Sequence, residues 1–189
     1  MSTGVSMAAP DRLELVRRFV NTLDVEDGID AIGDAEGLSS WLSSAGLELG
    51  LPPGDDELRR AHELREALRT AALGHHDGSA LPFAVTTVLD DFARRAAVSI
   101  SFTPEGGWRA TAGAQGVDGA LGEIVLRVVD SMTAGTWPRL KICARDSCRW
   151  AFYDTSRAGT GKWCSMRLCG NRAKQEAWRD RRRTPGQDG

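Results

Sequence analysis

Cys143, Cys148, Cys164 and Cys169 are the only cysteines of this 189-residue chain. They form two C-x4-C pairs separated by fifteen residues, the arrangement by which a loop-rich segment wraps four thiolates around tetrahedral Zn²⁺. Four thiolates saturate the metal and leave no position for an activated water, so one structural Zn²⁺ is expected. Two disulfides are a rival chemistry suited to an exported protein, but the opening MSTGVSMAAPDRLELVRR shows no basic segment followed by an apolar one. A cysteine nucleophile needs a base beside it, and His62, His75 and His76 fall far upstream. With no glycine-rich phosphate loop, Ser/His/Asp set or nucleophile elbow, the chain is expected not to be an enzyme. A metalloenzyme would need a ligand vacancy. Thiolate oxidation with release of zinc is a redox variant of the structural reading.

Charge divides the chain at the same place. Residues 139–183 hold thirteen Lys and Arg against four acids, a balance of +9, whereas the remainder carries eleven against twenty-two, or −11. The net −2 therefore hides a basic module on an acidic body, which points to a polyanion, with DNA the favoured partner. Arg167, Arg172, Lys174, Arg179, Arg181, Arg182 and Arg183 are the candidates for phosphate contact, and Asn171 could join them at base edges. Five of them have a structural alternative. Asn171 with Gly170 can shape a turn, Arg172 can hold backbone carbonyls or Asp154, and Arg181–Arg183 can be a solvated tail. Trp150, Phe152, Tyr153 and Trp163 would either stack on unpaired bases or form the small core of the module.

The elements that must position these residues are legible from periodicity. Asp11 can cap a helix carrying Leu13, Val16, Phe19, Val20 and Leu23, and Asp34 a shorter one bearing Leu38, Trp41 and Leu42, closed near Gly46. From Asp55, Leu58, Ala61, Leu64, Leu68 and Ala71/Ala72 recur at helical spacing, with Arg59, Arg60, Glu63, Arg65, Glu66 and Arg69 on the other faces. His75 and His76, which point in different directions, read as a solvated helix end rather than a second metal site. Asp55-Asp56 suits a helix N-terminus and Asp90-Asp91 a solvated face, rather than paired carboxylates for acid–base chemistry. A further helix spans Leu81 to about Ala97, offering Phe83, Val88, Leu89 and Phe92 to the core. Val98–Phe102 and Trp108–Thr111 alternate as a β-hairpin, and Val117–Met132 presents Leu121, Ile124, Val125, Val128 and Val129 as one more helix.

Ala134–Pro138 then breaks the pattern. Arg139–Cys143 and Arg149–Asp154 read as two strands joined by the first cysteine pair, Ser156–Gly161 as a flexible loop, and Cys169–Arg183 as a helix whose face of Arg172, Gln175/Glu176, Arg179 and Arg183 would meet phosphates. The fold class is α+β. An α-rich domain with a small hairpin spans 11–136, a treble-clef-like zinc finger of β-hairpin plus helix spans 137–183, and the ends, 1–10 and 184–189, are expected to be disordered. At 41% hydrophobic residues the chain can bury one sizeable core, and no apolar run is long enough to cross a bilayer, so a soluble protein is expected.

Leu140–Ala144, Cys148–Arg157, Trp163–Met166 and above all Cys169-Gly-Asn-Arg172, followed by Ala173-Lys174, resemble the CGNR zinc-finger family. Upstream, Phe19–Thr22, Leu38–Leu42 and Leu64–Leu68 are similar to the ABATE domain that usually precedes this finger. The resemblance implies a bacterial, cytoplasmic transcriptional regulator whose finger binds DNA and whose upstream domain senses a small-molecule effector or forms a homodimer, with no membrane partner. Where the family tends to place two arginines before Trp-Cys, this chain has Gly161-Lys162 and keeps one positive charge. An RNA-binding or protein-interaction module built on the same zinc is the alternative.

Overall fold

The computed structural model describes Ala9 and residues 11–183. The expectation of disordered ends falls outside the described residues except at Ala9, which is buried and whose N–H donates to Glu14 Oε2 at 3.0 Å.

In chain order the described elements are α1 (Asp11–Val20), β1 (Leu23–Asp24), β2 (Ile29–Asp30), α2 (Ala35–Ser44), α3 (Asp55–Gly74), α4 (Phe83–Arg95), β3 (Val98–Phe102), β4 (Trp108–Ala112) and α5 (Gly116–Thr133). A short 3-10 turn (Trp137–Arg139) leads into β5 (Leu140–Ile142), followed by β6 (Ala151–Tyr153), a π-helical turn (Met166–Gly170) and α6 (Asn171–Arg183). The architecture is α-rich, with three two-stranded antiparallel sheets among the described residues.

The core lies where α1, α3, α4 and α5 meet. Leu13, Val16 and Phe19 of α1, Leu64 and Leu68 of α3, Phe92 of α4 and Leu121 and Ile124 of α5 are sealed from solvent. Each such side chain contributes about 1.5–3 kcal/mol, so this core outweighs the exposed ion pairs, which are worth about 0–1 kcal/mol each. Asp34 caps α2 as expected, its carboxylate accepting the Gly37 N–H at 2.7 Å.

Several inward assignments fail for reasons of helical phase. The buried face of α4 runs through Val85 and Phe92. Phe83 stands two residues earlier, roughly 200° around the helix, and is 86% exposed. Val129 is one step off the buried line through Leu121, Ile124, Val125 and Val128, and it too reaches solvent. Leu23 lies beyond α1, which ends where Thr22 bonds back to Phe19 O through both its N–H and its hydroxyl. It belongs instead to β1, part of a hairpin that periodicity does not reveal.

Two arginines expected on outer faces of α3 point inward. Arg65 grips Asp30 with two hydrogen bonds of 2.6 and 2.8 Å and Thr22 Oγ1 with a third, fixing the β1–β2 hairpin to α3. Arg69 donates to Val20 O at 2.7 Å and to Arg149 O at 2.8 Å.

That second bond belongs to a seam joining the two parts of the chain. Trp137, Leu140, Ile142 and Ala151 are buried in the same core as the helices. A two-stranded sheet leaves two rows of unpaired backbone groups, and here the body supplies side chains to both. His75 Nδ1 donates to Leu140 O at 2.7 Å and His76 Nε2 to Ile142 O at 2.5 Å. On the other edge the Asn21 amide donates to Ala151 O at 2.9 Å and accepts from Ala151 N–H at 2.7 Å. The histidine pair is therefore a clasp on β5 rather than a solvated helix end. Burial lowers the pKa of His75, which also packs edge-on against Trp137 at 4.9 Å.

Candidate metal centre and basic helix

The four cysteines reach one point from three elements. Cys143 follows β5, Cys148 closes the turn before β6, and Cys164 and Cys169 flank the entry to the π-helical turn. The turn at Cys148 is held by the Cys148 N–H on Arg145 O at 2.9 Å and by Arg149 in a left-handed conformation, φ 50°. Such a conformation is disfavoured for a residue with a Cβ; the Arg69 bond to the Arg149 carbonyl secures it.

The sulfurs all lie within 4.8 Å of one another, with Cys148–Cys164 at 3.7 Å and Cys164–Cys169 at 3.6 Å. A tetrahedral ion with Zn–S bonds of about 2.3 Å sets its sulfurs about 3.8 Å apart, so this donor set fits one structural Zn²⁺. Proton chemistry agrees. Hydrogen bonds from Cys148 and Cys164 pull the Cys143 thiol down to about 2, while bonding to Cys143 pushes Cys148 up to about 12 and raises Cys164 as well. These three thiols cannot all ionise unaided, and a divalent cation is what lets them do so. When bound, zinc supplies a cross-link between the two cysteine pairs.

Residues around the sulfurs hold them in place. Trp150 and Trp163 pack on the cluster, which is the structural role weighed for the aromatics; Phe152 is buried as well. Gly170 lies so close to Met166 that a Cβ would stand 2.9 Å from its Sδ. Helical structure starts at Met166, three residues before Cys169, because Ser165 caps it through Leu168 N–H and the extra residue of a π turn aims Cys169 inward.

The loop after β6, expected to be flexible, is tied down. Asp154 accepts from Ser156 N–H at 3.0 Å and Gly161 N–H at 2.7 Å and pairs with the buried Lys141 ammonium at 3.3 Å. Lys141 also donates to Gly159 O, and Arg139 to Ser156 O. Burial alone would raise the Asp154 pKa, but bonds from Ser156, Gly161 and Lys141 hold it at about 2. A Cβ on Gly161 would stand 2.8 Å from the Asp154 carboxylate, so packing favours glycine where the family tends to carry arginine.

The residues expected to contact nucleic acid divide into groups. Arg167, Lys174 and Arg179 are exposed. Asn171 is exposed too, but its amide donates to Arg167 O at 3.1 Å, the turn-shaping role. Among the described residues Arg172 bonds neither backbone carbonyls nor Asp154. Its partner is Glu26 of the β1–β2 turn, at 2.5 Å. Arg181, Arg182 and Arg183 close α6, and their side chains lie outside the described residues. Periodicity gave no signal for Glu26 or for Arg145, which donates to Glu26 at 3.1 Å and lies 3.9 Å from the Glu176 carboxylate. Of α6 up to Arg179, only Ala173 is partly covered; the helix stands out from the body with its basic side chains in solvent.

Comparison with known families agrees with this division. A family model described as CGNR zinc finger matches residues 139–182, and the ABATE model, described as "Putative stress-induced transcription regulator", matches residues 13–135. No curated protein matches the chain.

Proposed function

The chain belongs to the ABATE family and carries a CGNR zinc finger, and from that premise we propose that it is a DNA-binding transcriptional regulator rather than an enzyme. The observation that carries this reading is α6 with the π-helical turn that leads into it, rooted in the four-cysteine centre: the turn presents Arg167, and the helix, almost wholly in solvent, presents Arg172, Lys174 and Arg179. Cations in such an array neutralise backbone phosphates and release counterions, which gives affinity without sequence information. Sequence preference would come from a few of these side chains reaching base edges, arginine pairing best with guanine. Zinc fixes the root of the helix and takes no part in chemistry. The α-rich body is the part that would sense a small-molecule effector or pair with a second copy. A cytoplasmic, nucleoid-associated location goes with this role, and no helix of the described residues is long and apolar enough to cross a membrane.

The test is selection of bound sequences from a random DNA pool by the zinc-loaded chain, with Arg172→Ala and Arg179→Ala as controls. Enrichment of one motif, lost in the controls, supports a sequence-specific regulator. Salt-sensitive retention without enrichment reduces the role to nonspecific electrostatics, and no retention at all favours an RNA-binding or protein-interaction platform.

A further inference from the structure

Glu26 belongs to the acidic N-terminal body, yet both of its ion-pair partners belong to the finger. Its Oε1 lies 2.5 Å from Arg172 Nη1 and 3.1 Å from Arg145 Nη1. The carboxylate is held in place from behind. Asp24 Oδ1 accepts the N–H groups of Glu26 and Asp27 at 3.0 and 3.2 Å, and Arg65 anchors the hairpin through Asp30. Arg145 is equally constrained, its side chain only 15% exposed and its Nε also 3.9 Å from the Glu176 carboxylate. Arg172 is different: it is half exposed, at 49%, and lies on the basic helix.

Two guanidinium groups converging on one oxygen make an oxyanion site. A phosphodiester, with two non-bridging oxygens, would satisfy both groups more fully than one carboxylate oxygen does. The site lies at the root of α6, where a nucleic-acid backbone following Arg179 and Lys174 towards the finger would arrive. The Arg172–Glu26 pair, 49% and 38% exposed, is too weak to serve as a structural clasp, whereas the buried seam of β5 and β6 already holds finger and body together.

Resting on the nucleic-acid reading above, we infer that Arg145 and Arg172 form a site for a backbone phosphate, and that Glu26 occupies it in the free protein as an intramolecular competitor. Phosphate binding displaces the carboxylate and frees the β1–β2 turn. The coupling is reciprocal, so whatever braces that turn in the body weakens binding at the finger.

The experiment is a fluorescence-anisotropy titration of a labelled DNA duplex with zinc-loaded full-length chain, comparing the wild type with Glu26→Gln, Glu26→Gln/Arg172→Ala, and Asp27→Asn, which removes a neighbouring charge that meets neither arginine. The expected result is that Glu26→Gln tightens binding about three- to tenfold, the scale of two partly exposed ion pairs. Asp27→Asn should change it far less, and adding Arg172→Ala should remove the gain. Hydrogen exchange in residues 23–30 of the wild type should quicken when DNA is bound. If the wild type binds and Glu26→Gln is no tighter than Asp27→Asn, the competitor role is overturned and the DNA-binding reading stands. If no form binds, both are overturned.

Discussion

Lys141 Nζ lies 3.3 Å from Asp154 Oδ2, and the two side chains are sealed from solvent at 2% and 3% exposure. The pair lashes the loop after β6 against β5. Removing one partner strands the other as a buried charge, which costs about 3–5 kcal/mol. Lys141→Met should lower unfolding free energy by that amount in urea titration. A loss below about 1 kcal/mol, the scale of an exposed pair, would show that the pair is not sealed.

Zinc removal should have a local effect. Leu140, Ile142 and Ala151 are buried in the shared core and their outer edges are bonded to His75, His76 and Asn21. Chelation should therefore speed hydrogen exchange across 164–183 while 140–142 stay protected. Collapse of the helical body on chelation would contradict this.

Asn21 replaces a neighbouring strand at Ala151. Asn21→Ala leaves a buried N–H and C=O without their partner, at a cost of about 1–3 kcal/mol each, and should raise exchange in β6 ahead of the body helices. Unchanged exchange in β6 would show that the edge is held otherwise.

His75 sets a pH dependence. Burial depresses its pKa below 6.5, so the folded chain keeps the ring neutral while the unfolded chain takes up a proton. The folded state then binds fewer protons, and its stability is complete above pH 6.5 and declines as pH falls below it towards the depressed value. Thermal unfolding between about pH 7 and 5, with zinc saturating, should show this decline, and His75→Gln should flatten it. An equal slope in the variant would assign the effect to other groups. The carboxylates act at lower pH: Asp154, held at about 2, loses its contribution only as pH falls from the ordinary carboxylate range towards that value.

How far the sequence could be read depended on the kind of signal. Cysteine spacing located the metal centre because ligand geometry constrains spacing directly, and the face of α3 through Leu64 and Leu68 followed from period alone. The seam was not legible. Nothing local distinguishes Arg65 and Arg69, which turn inward, from Arg59, which stays in solvent, since their partners Asp30, Val20 and Arg149 come from distant parts of the chain. The bonds of His75 and His76 are hidden from the sequence for the same reason: the carbonyls they reach are sixty-five and sixty-six residues away. Glu26 had no motif around it, and only its approach to Arg145 and Arg172 gives it a role.

The proposed role of zinc is to present α6 to a nucleic-acid backbone. Its most direct test is the salt dependence of duplex binding by the zinc-loaded chain, measured by anisotropy between about 50 and 200 mM salt, alongside chelated protein and a Lys174→Ala/Arg179→Ala variant. If Arg167, Arg172, Lys174 and Arg179 each take a phosphate, log affinity should fall against log salt with a slope of about −3.6 or steeper, shallower by about 1.8 in the double variant. Binding should be lost on chelation. Absence of binding at the lowest salt, or binding indifferent both to chelation and to the double substitution, would contradict the account.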